Sequence, residues 1–209
     1  MLRWQRCVVA ALAAGLLIGC AGTSPPTRYY LLQPMPGTAP LQHQPGSEAE
    51  LTLGIGPVAL PDYLDRQQIV TLLAENRTEL AEYDRWAEPL KENFIRVLKE
   101  NLATILDTPY ILQEPWSISD SVDYRLEIEV IRFDADTSNT AVLAARWFIV
   151  RQADDVLLLT GKSTHTAAVK GSDYMGIVSS LNQVLEDFSR QIGGQIRNLN
   201  LEEKARQPA

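Results

Sequence analysis

The sequence predicts an α+β domain, an antiparallel sheet with two long amphipathic helices packed on one of its faces. Three observations carry that expectation. Tyr124, Leu126, Ile128 and Val130 alternate with Arg125, Glu127 and Glu129, the period of a strand with one buried and one wetted face. Two stretches repeat apolar residues at three and four: Trp86, Leu90, Phe94, Val97, Leu98, Leu102, Ile105 and Leu106, then Ile177, Leu181, Val184, Leu185, Phe188 and Ile192. The order of elements is strands and a hairpin, a helix, a three-strand meander and a second helix, with no alternation of the βαβα kind.

The first residues are of another character. Arg3 and Arg6 precede an uncharged apolar run from Cys7 through Ile18, too short for a bilayer, which needs about 20 residues. That is the shape of a secretory signal. The run ends in Leu17-Ile18-Gly19-Cys20, which resembles the lipobox read by bacterial lipoprotein signal peptidase. The resemblance implies a signal peptide over 1–19, cleavage between Gly19 and Cys20, diacylglycerol on the Cys20 sulfur and a third acyl chain on the new amino group. The thiol is needed as the nucleophile that takes the diacylglycerol, and small Gly19 lets the peptidase reach the bond. At about 0.8 kcal/mol per buried methylene, three chains make the anchor effectively permanent. Position 21 is Ala rather than Asp, which resembles an outer-membrane sorting signal.

A lipidated tether over 20–27 follows; its Ala21–Thr27 part spans at most roughly 25 Å. Arg28–Leu32 reads as a short strand. Gln33–Ala49 reads as an extended loop, within the stretch 25–45 that holds Pro25, Pro26, Pro34, Pro36, Pro40 and Pro45. A loop of that length is either a plain connection or a binding segment. Leu51–Ile55 is a strand halted by Gly56-Pro57. Gln68–Leu73 and Thr78–Tyr83 form a hairpin about Glu75-Asn76-Arg77. The first helix is expected to start at an Asp84 cap, to carry Pro89 in its first turn and to stop at Thr108-Pro109. The meander strands are Tyr124–Val130, Thr140–Arg151 and Val156–Val169, with turns at Asp134–Asn139 and Gln152–Asp155. The second helix runs over Asp173–Leu199 with Ser172 or Asp173 as its cap. One domain over 28–200 and a polar tail over 201–209 complete the expectation.

Composition bounds the function. The chain is 45% apolar and 22% charged, a globular balance. Losing Arg3 and Arg6 takes the net charge from −7 to −9, with 17 basic and 26 acidic residues left. An acidic chain has no electrostatic reason to bind nucleic acid or to adsorb on anionic lipid. Cys7 and Cys20 are its two cysteines, so the mature chain, with Cys20 lipidated, has no internal disulfide.

Several local patterns imitate chemistry. Gly161-Lys162-Ser163 copies the end of a phosphate loop, but the position five before Gly161 is Val156 where the motif needs glycine. Asp134-Ala135-Asp136-Thr137-Ser138 starts like a calcium loop, yet Asn139 and Ala145 stand where its glycine and bidentate glutamate belong. His43 and His165 are the two histidines, and no zinc ligand set or Gly-x-Ser-x-Gly elbow accompanies them. The expectation is therefore no catalysis, no metal and no cofactor. Glu75, Glu79, Glu82, Asp84 and Glu88 are either solvated surface or an edge for a basic partner.

Three runs, in order behind the lipobox, carry a resemblance: Arg28-Tyr29-Tyr30-Leu31-Leu32; Ile55-Gly56-Pro57-Val58-Ala59-Leu60-Pro61-Asp62-Tyr63-Leu64-Asp65-Arg66; and Tyr83-Asp84-Arg85-Trp86-Ala87-Glu88-Pro89-Leu90. With the alternating strand and the closing helix they resemble the ABC-type transport auxiliary lipoprotein family, which includes the lipoprotein of paraquat-inducible, MCE-type systems. The resemblance implies an outer-membrane lipoprotein facing the periplasm, with an MCE-domain tunnel protein as partner and an accessory role in lipid transport and membrane integrity. Tyr63, Leu64 and Trp86 are the candidate partner-binding residues, with turn and core packing as the alternative for each. Geometry adds association with copies of itself around a ring-shaped partner. The rival function is a lipid-binding carrier that takes an acyl chain into its own cavity.

Overall fold

The computed structural model describes residues 25–37, 51–74, 76–117, 122–171 and 173–206. Its strands are β1 (Arg28–Tyr30), β2 (Leu53–Ala59), β3 (Gln68–Ala74), β4 (Arg77–Trp86), β5 (Ile111–Gln113), β6 (Tyr124–Asp136), β7 (Thr140–Arg151) and β8 (Val156–Ala168). The helices are α1 (Leu90–Leu106) and α2 (Tyr174–Arg206), with a 3-10 turn at Asp62–Leu64. Together they form one α+β domain, as the periodicities predict.

β6 is the trunk of the sheet. One of its edges pairs along nearly its whole length with β7, which pairs in turn with β8. Its other edge is shared: β2 lies against Leu53↔Tyr124 to Ala59↔Glu129, and β3 takes the far end at Thr71↔Ala135 and Leu72↔Asp136. The sheet forks there. β2 leads outward to β5, while β3 leads to β4 and then β1. Among the described residues the sheet is mixed, not antiparallel, because β1·β4, β2·β5, β2·β6 and β3·β6 are all parallel. A two-residue periodicity states which face a side chain takes and is silent on strand direction. The crossover that parallel pairing requires is supplied between β2 and β6 by the hairpin, α1 and β5.

Both helices lie on the sheet face made by Leu126, Ile128, Leu143, Ala145, Trp147 and Ile149, all buried in one core with the helix stripes. Phe94 of α1 meets Phe133 of β6 edge to face, ring centroids 5.4 Å apart. α2 crosses α1 so closely at Gly193 that an added Cβ would sit 2.5 Å from Ile105 Cγ2. The bulge between Val130 and Arg132 shifts the register, so Phe133 continues the buried row.

Two helix boundaries differ from expectation. α1 starts at Leu90, not at an Asp84 cap, because Pro89 disfavours the helical region for the residue before it. Asp84 and Trp86 belong to β4 instead. α2 continues through Arg206, past the expected end at Leu199 and into the stretch read as tail. Its last turns are held to the sheet by Glu203, which accepts from Tyr124 Oη and from the Arg151 guanidinium. α2 starts at Tyr174, just after Asp173, one of the two caps expected, whose Oδ1 accepts the Gly176 N–H at 3.0 Å. β5, three residues long, was too short to leave a periodic signal.

Candidate functional site

Cys20 and Gly19 lie outside the described residues, and no helix among the described residues is long and apolar enough to cross a membrane. What the structure displays is the segment that leads into the domain. Arg28 donates from Nε and Nη2 to the two oxygens of Asp84 at 2.7 and 2.8 Å, a bidentate fork. Tyr30 Oη adds a third bond to Asp84 at 2.7 Å. Asp84 is only 3% exposed, and these bonds are what make its burial tolerable. The Arg28 guanidinium holds the Asp84 carboxyl below the usual carboxylate range in spite of burial. Burial, and next the bond to Asp84, push the Tyr30 phenol up to about 12.

The chain then runs across both helices. Leu32 is fully buried and its carbonyl accepts from Arg96 Nη2 at 3.1 Å. Gln33 N donates to Asn182 Oδ1 of α2 at 3.1 Å, and Met35 N donates to Asn101 Oδ1 of α1 at 2.9 Å. Asn101 is itself buried and donates to Ser189 Oγ of α2 at 3.1 Å. Arg96 is positioned by Glu88 Oε1 at 3.0 Å and Asn93 Oδ1 at 2.9 Å. The lead-in from Arg28 to Met35 is thus stitched in turn to β4, α1 and α2. Sequence reading missed this clasp, since Arg28 and Asp84 are 56 positions apart. The one local hint was a charged residue opening a tyrosine-rich strand.

The residues marked for partner binding sit differently from one another. Leu64 and Trp86 are 2% and 4% exposed and belong to the core. Tyr63 is half-buried and donates from Oη to Asp134 Oδ2 at 2.7 Å, while Arg132 Nε donates to the other oxygen, Oδ1, at 2.7 Å. Burial, with Asp134 second, raises the Tyr63 phenol above its ordinary value. Side chains withdrawn to this degree leave the loop between β2 and β3 to present its exposed neighbours Asp62, Asp65 and Arg66. The loop and the lead-in meet at one strand end, where Trp86 N donates to Gln67 O and Ala87 N donates to Tyr30 O.

The chemistry-like patterns have structural occupations. Gly161 lies under the Trp147 indole, and Trp147 Nε1 donates to Ser163 Oγ at 2.8 Å. Asp136 Oδ1 accepts the Ser138 and Thr140 N–H groups at 3.0 and 3.3 Å, closing the turn between β6 and β7. His165 faces α2, its Nε2 2.9 Å from Gln191 Oε1 and its ring edge-on to Phe188. His43 lies outside the described residues.

The intermembrane transport lipoproteins PqiC of Escherichia coli strain K12 and of Shigella flexneri are each 24% identical over 144 residues, which is 69% of this chain and 74% of theirs. Two crystal structures superpose with a TM-score of 0.67. One is of an uncharacterized protein, 21% identical, covering 82% of this chain and 99% of that one. The other is a protein from Xanthomonas campestris, 13% identical, covering 86% and 99%. At those identities the likeness is one of fold. The model of the ABC-type transport auxiliary lipoprotein component matches residues 29–193, from the clasp at β1 to the Gly193 crossing of the two helices, and the chain belongs to that family.

Proposed function

We propose that the protein is an outer-membrane lipoprotein, anchored through Cys20 and facing the periplasm, that docks or completes the tunnel of an MCE-type lipid transport system and supports membrane integrity. The observation that carries this reading is the clasp. A short tether leads into a segment bound to three elements over a filled core, so the domain is a firm body on a short leash, the build of a docking subunit. Family membership and the intermembrane transport role in the name of PqiC support the same direction. A carrier would need an apolar chamber between helices and sheet. Here Phe94, Phe133 and Phe188 fill that space, each at most 1% exposed. A hollow of about 530 Å³ beside the end of α2 has Leu51, Val122 and Ala153 in its lining, but the charged groups of Asp123, Arg151, Glu203, Lys204 and Arg206 there disfavour an acyl chain. A tunnel protein built as a ring would gather several copies of the lipoprotein around it.

The test is in-cell crosslinking of the tagged full chain with Cys20 intact, followed by mass spectrometry of what is captured. An MCE-domain tunnel protein as the dominant adduct supports the docking role. Lipid and abundant outer-membrane proteins alone would overturn it and favour the carrier.

A further inference from the structure

Three adjoining hollows of about 370, 300 and 180 Å³ open beside the first turns of α1. The first and second share Asp65 and Pro89, and the first and third share Val58, Lys91 and Glu92, so they form one continuous groove. The apolar part of its lining is Pro57, Ala59, Leu60 and Pro89 at the surface, over Ile55, Val58 and Ile95, which are at most 4% exposed. Its rim is acidic. Asp62, Asp65, Glu92 and Glu114 are all exposed, against Arg66 and Lys91 as the cations. Among the described residues none of these four carboxylates is in an ion pair. The fifth acid of the lining, Glu88, is neutralised by Arg96.

The groove also holds an open strand edge. On the side away from β6, β2 is paired with β5 over Leu53–Ile55. Beyond Pro57 no described strand borders that side of Val58 and Ala59, although their other side stays paired with Ile128 and Glu129. Backbone groups on a free edge are a template for an added strand, and α1 supplies Lys91, Glu92 and Ile95 to the same hollow.

We propose that this groove is the docking site for an extended segment of the partner protein in which basic residues alternate with apolar ones. The apolar side chains meet the apolar lining, the cations meet Asp62, Asp65, Glu92 and Glu114, and the backbone adds to the Val58–Ala59 edge. The rim charge selects against the chain's own stretch 38–50, whose ionisable residues are His43, Glu48 and Glu50. The identity of the partner as the MCE tunnel protein rests on the function proposed above.

The test places the photocrosslinker p-benzoylphenylalanine at Asp62 or at Glu92 in the full lipidated chain, with Glu202 at the far end of α2 as the control position. The expected adduct is a tunnel-protein peptide carrying Lys or Arg, formed from both groove positions and not from the control. The combined variant Asp62→Lys, Asp65→Lys, Glu92→Lys should weaken binding of purified tunnel protein by about tenfold or more, while Glu202→Lys leaves it unchanged. Hydrogen exchange at Val58–Leu60 should slow on binding. An adduct equally strong from the control, an adduct within the chain itself, an acidic peptide, or unchanged affinity after the triple reversal would each overturn the groove. Capture of the tunnel protein through another surface sinks the groove and leaves the docking role standing. Capture of a basic segment from a different protein does the reverse.

Discussion

Gly161→Ala tests whether the Gly161-Lys162-Ser163 run is architecture. An added Cβ would lie 2.4 Å from Trp147 Cζ2, 2.8 Å from Cε2 and 3.1 Å from Cη2. Reaching ordinary contact means moving the indole by about 1 Å, and this ring cannot move freely. It is 4% exposed, packed in the core, and tied through Nε1 to Ser163 Oγ. Overpacking of this kind costs about 1–3 kcal/mol. Loss of the indole bond adds about 1 kcal/mol. The sum, about 2–4 kcal/mol, lowers Tm by roughly 5–12 °C for a domain of this size. Urea unfolding of the domain followed by tryptophan fluorescence and by circular dichroism measures it. In a Trp147→Leu background the obstacle is gone, and the same glycine change should cost under about 1 kcal/mol, a coupling only contact explains. An equal cost in both backgrounds, or less than about 0.5 kcal/mol in the natural one, would refute the packing. Lys162→Ala, exposed on the same strand, should change stability little.

Cys20→Ala should abolish acyl labelling and release the protein from the membrane fraction or leave it uncleaved; a variant still labelled would move the anchor elsewhere. The clasp has an acid limit with a definite sign. Because Arg28 depresses the folded Asp84 carboxyl, its contribution is present above the ordinary value of 3.8 and is lost as pH falls below that through the folded value. Protection from hydrogen exchange at residues 28–33, taken against the intrinsic rate at each pH, should therefore fall in acid in the natural chain and be low and less pH-dependent there in Asp84→Asn. Asn101→Ala removes the acceptor for Met35 N and the bond to Ser189, and should cost about 1–3 kcal/mol in urea unfolding. Its exchange should quicken first around Met35, and a uniform change along the chain would count against the stitched lead-in.

What was legible in the sequence is what local periodicity controls. The row Tyr124–Val130 and the stripe through Leu181, Val184, Leu185 and Phe188 face the core as read, and the hairpin of β3 and β4 is where its polar turn placed it. Three things were not legible, each for a non-local reason. Strand direction depends on the path of the chain, so a sheet with four parallel pairings was expected to be antiparallel. Asp84 has the composition of a helix cap but spends its acceptors on Arg28 and Tyr30, 56 and 54 positions away. Leu64 was open between partner contact and core or turn packing, and tertiary packing, which buries it, makes the choice. What that run leaves exposed around Leu64 are Asp62, Asp65 and Arg66, the residues a hydropathy pattern ranks last.

The clasp and the groove use one helix. Around the first turns of α1, Asn93 and Arg96 turn toward the lead-in, while Lys91, Glu92 and Ile95 line the groove on the neighbouring face. Farther along, Asn101 joins α1 to both the lead-in and α2. A load arriving from a docked segment at the groove would therefore reach the lead-in through the bonds of Arg96 to Leu32 and of Asn101 to Met35. The same load could leave through β2, but β2 is anchored on the trunk strand β6, which faces α1 through the Phe94–Phe133 contact. Either path ends in one packed body. A subunit that had to swing or open to release a lipid would want a hinge between its anchor and its binding face. This one has part-buried hydrogen bonds there instead, backed by the buried Asn101–Ser189 bond, and such bonds suit the docking part proposed above.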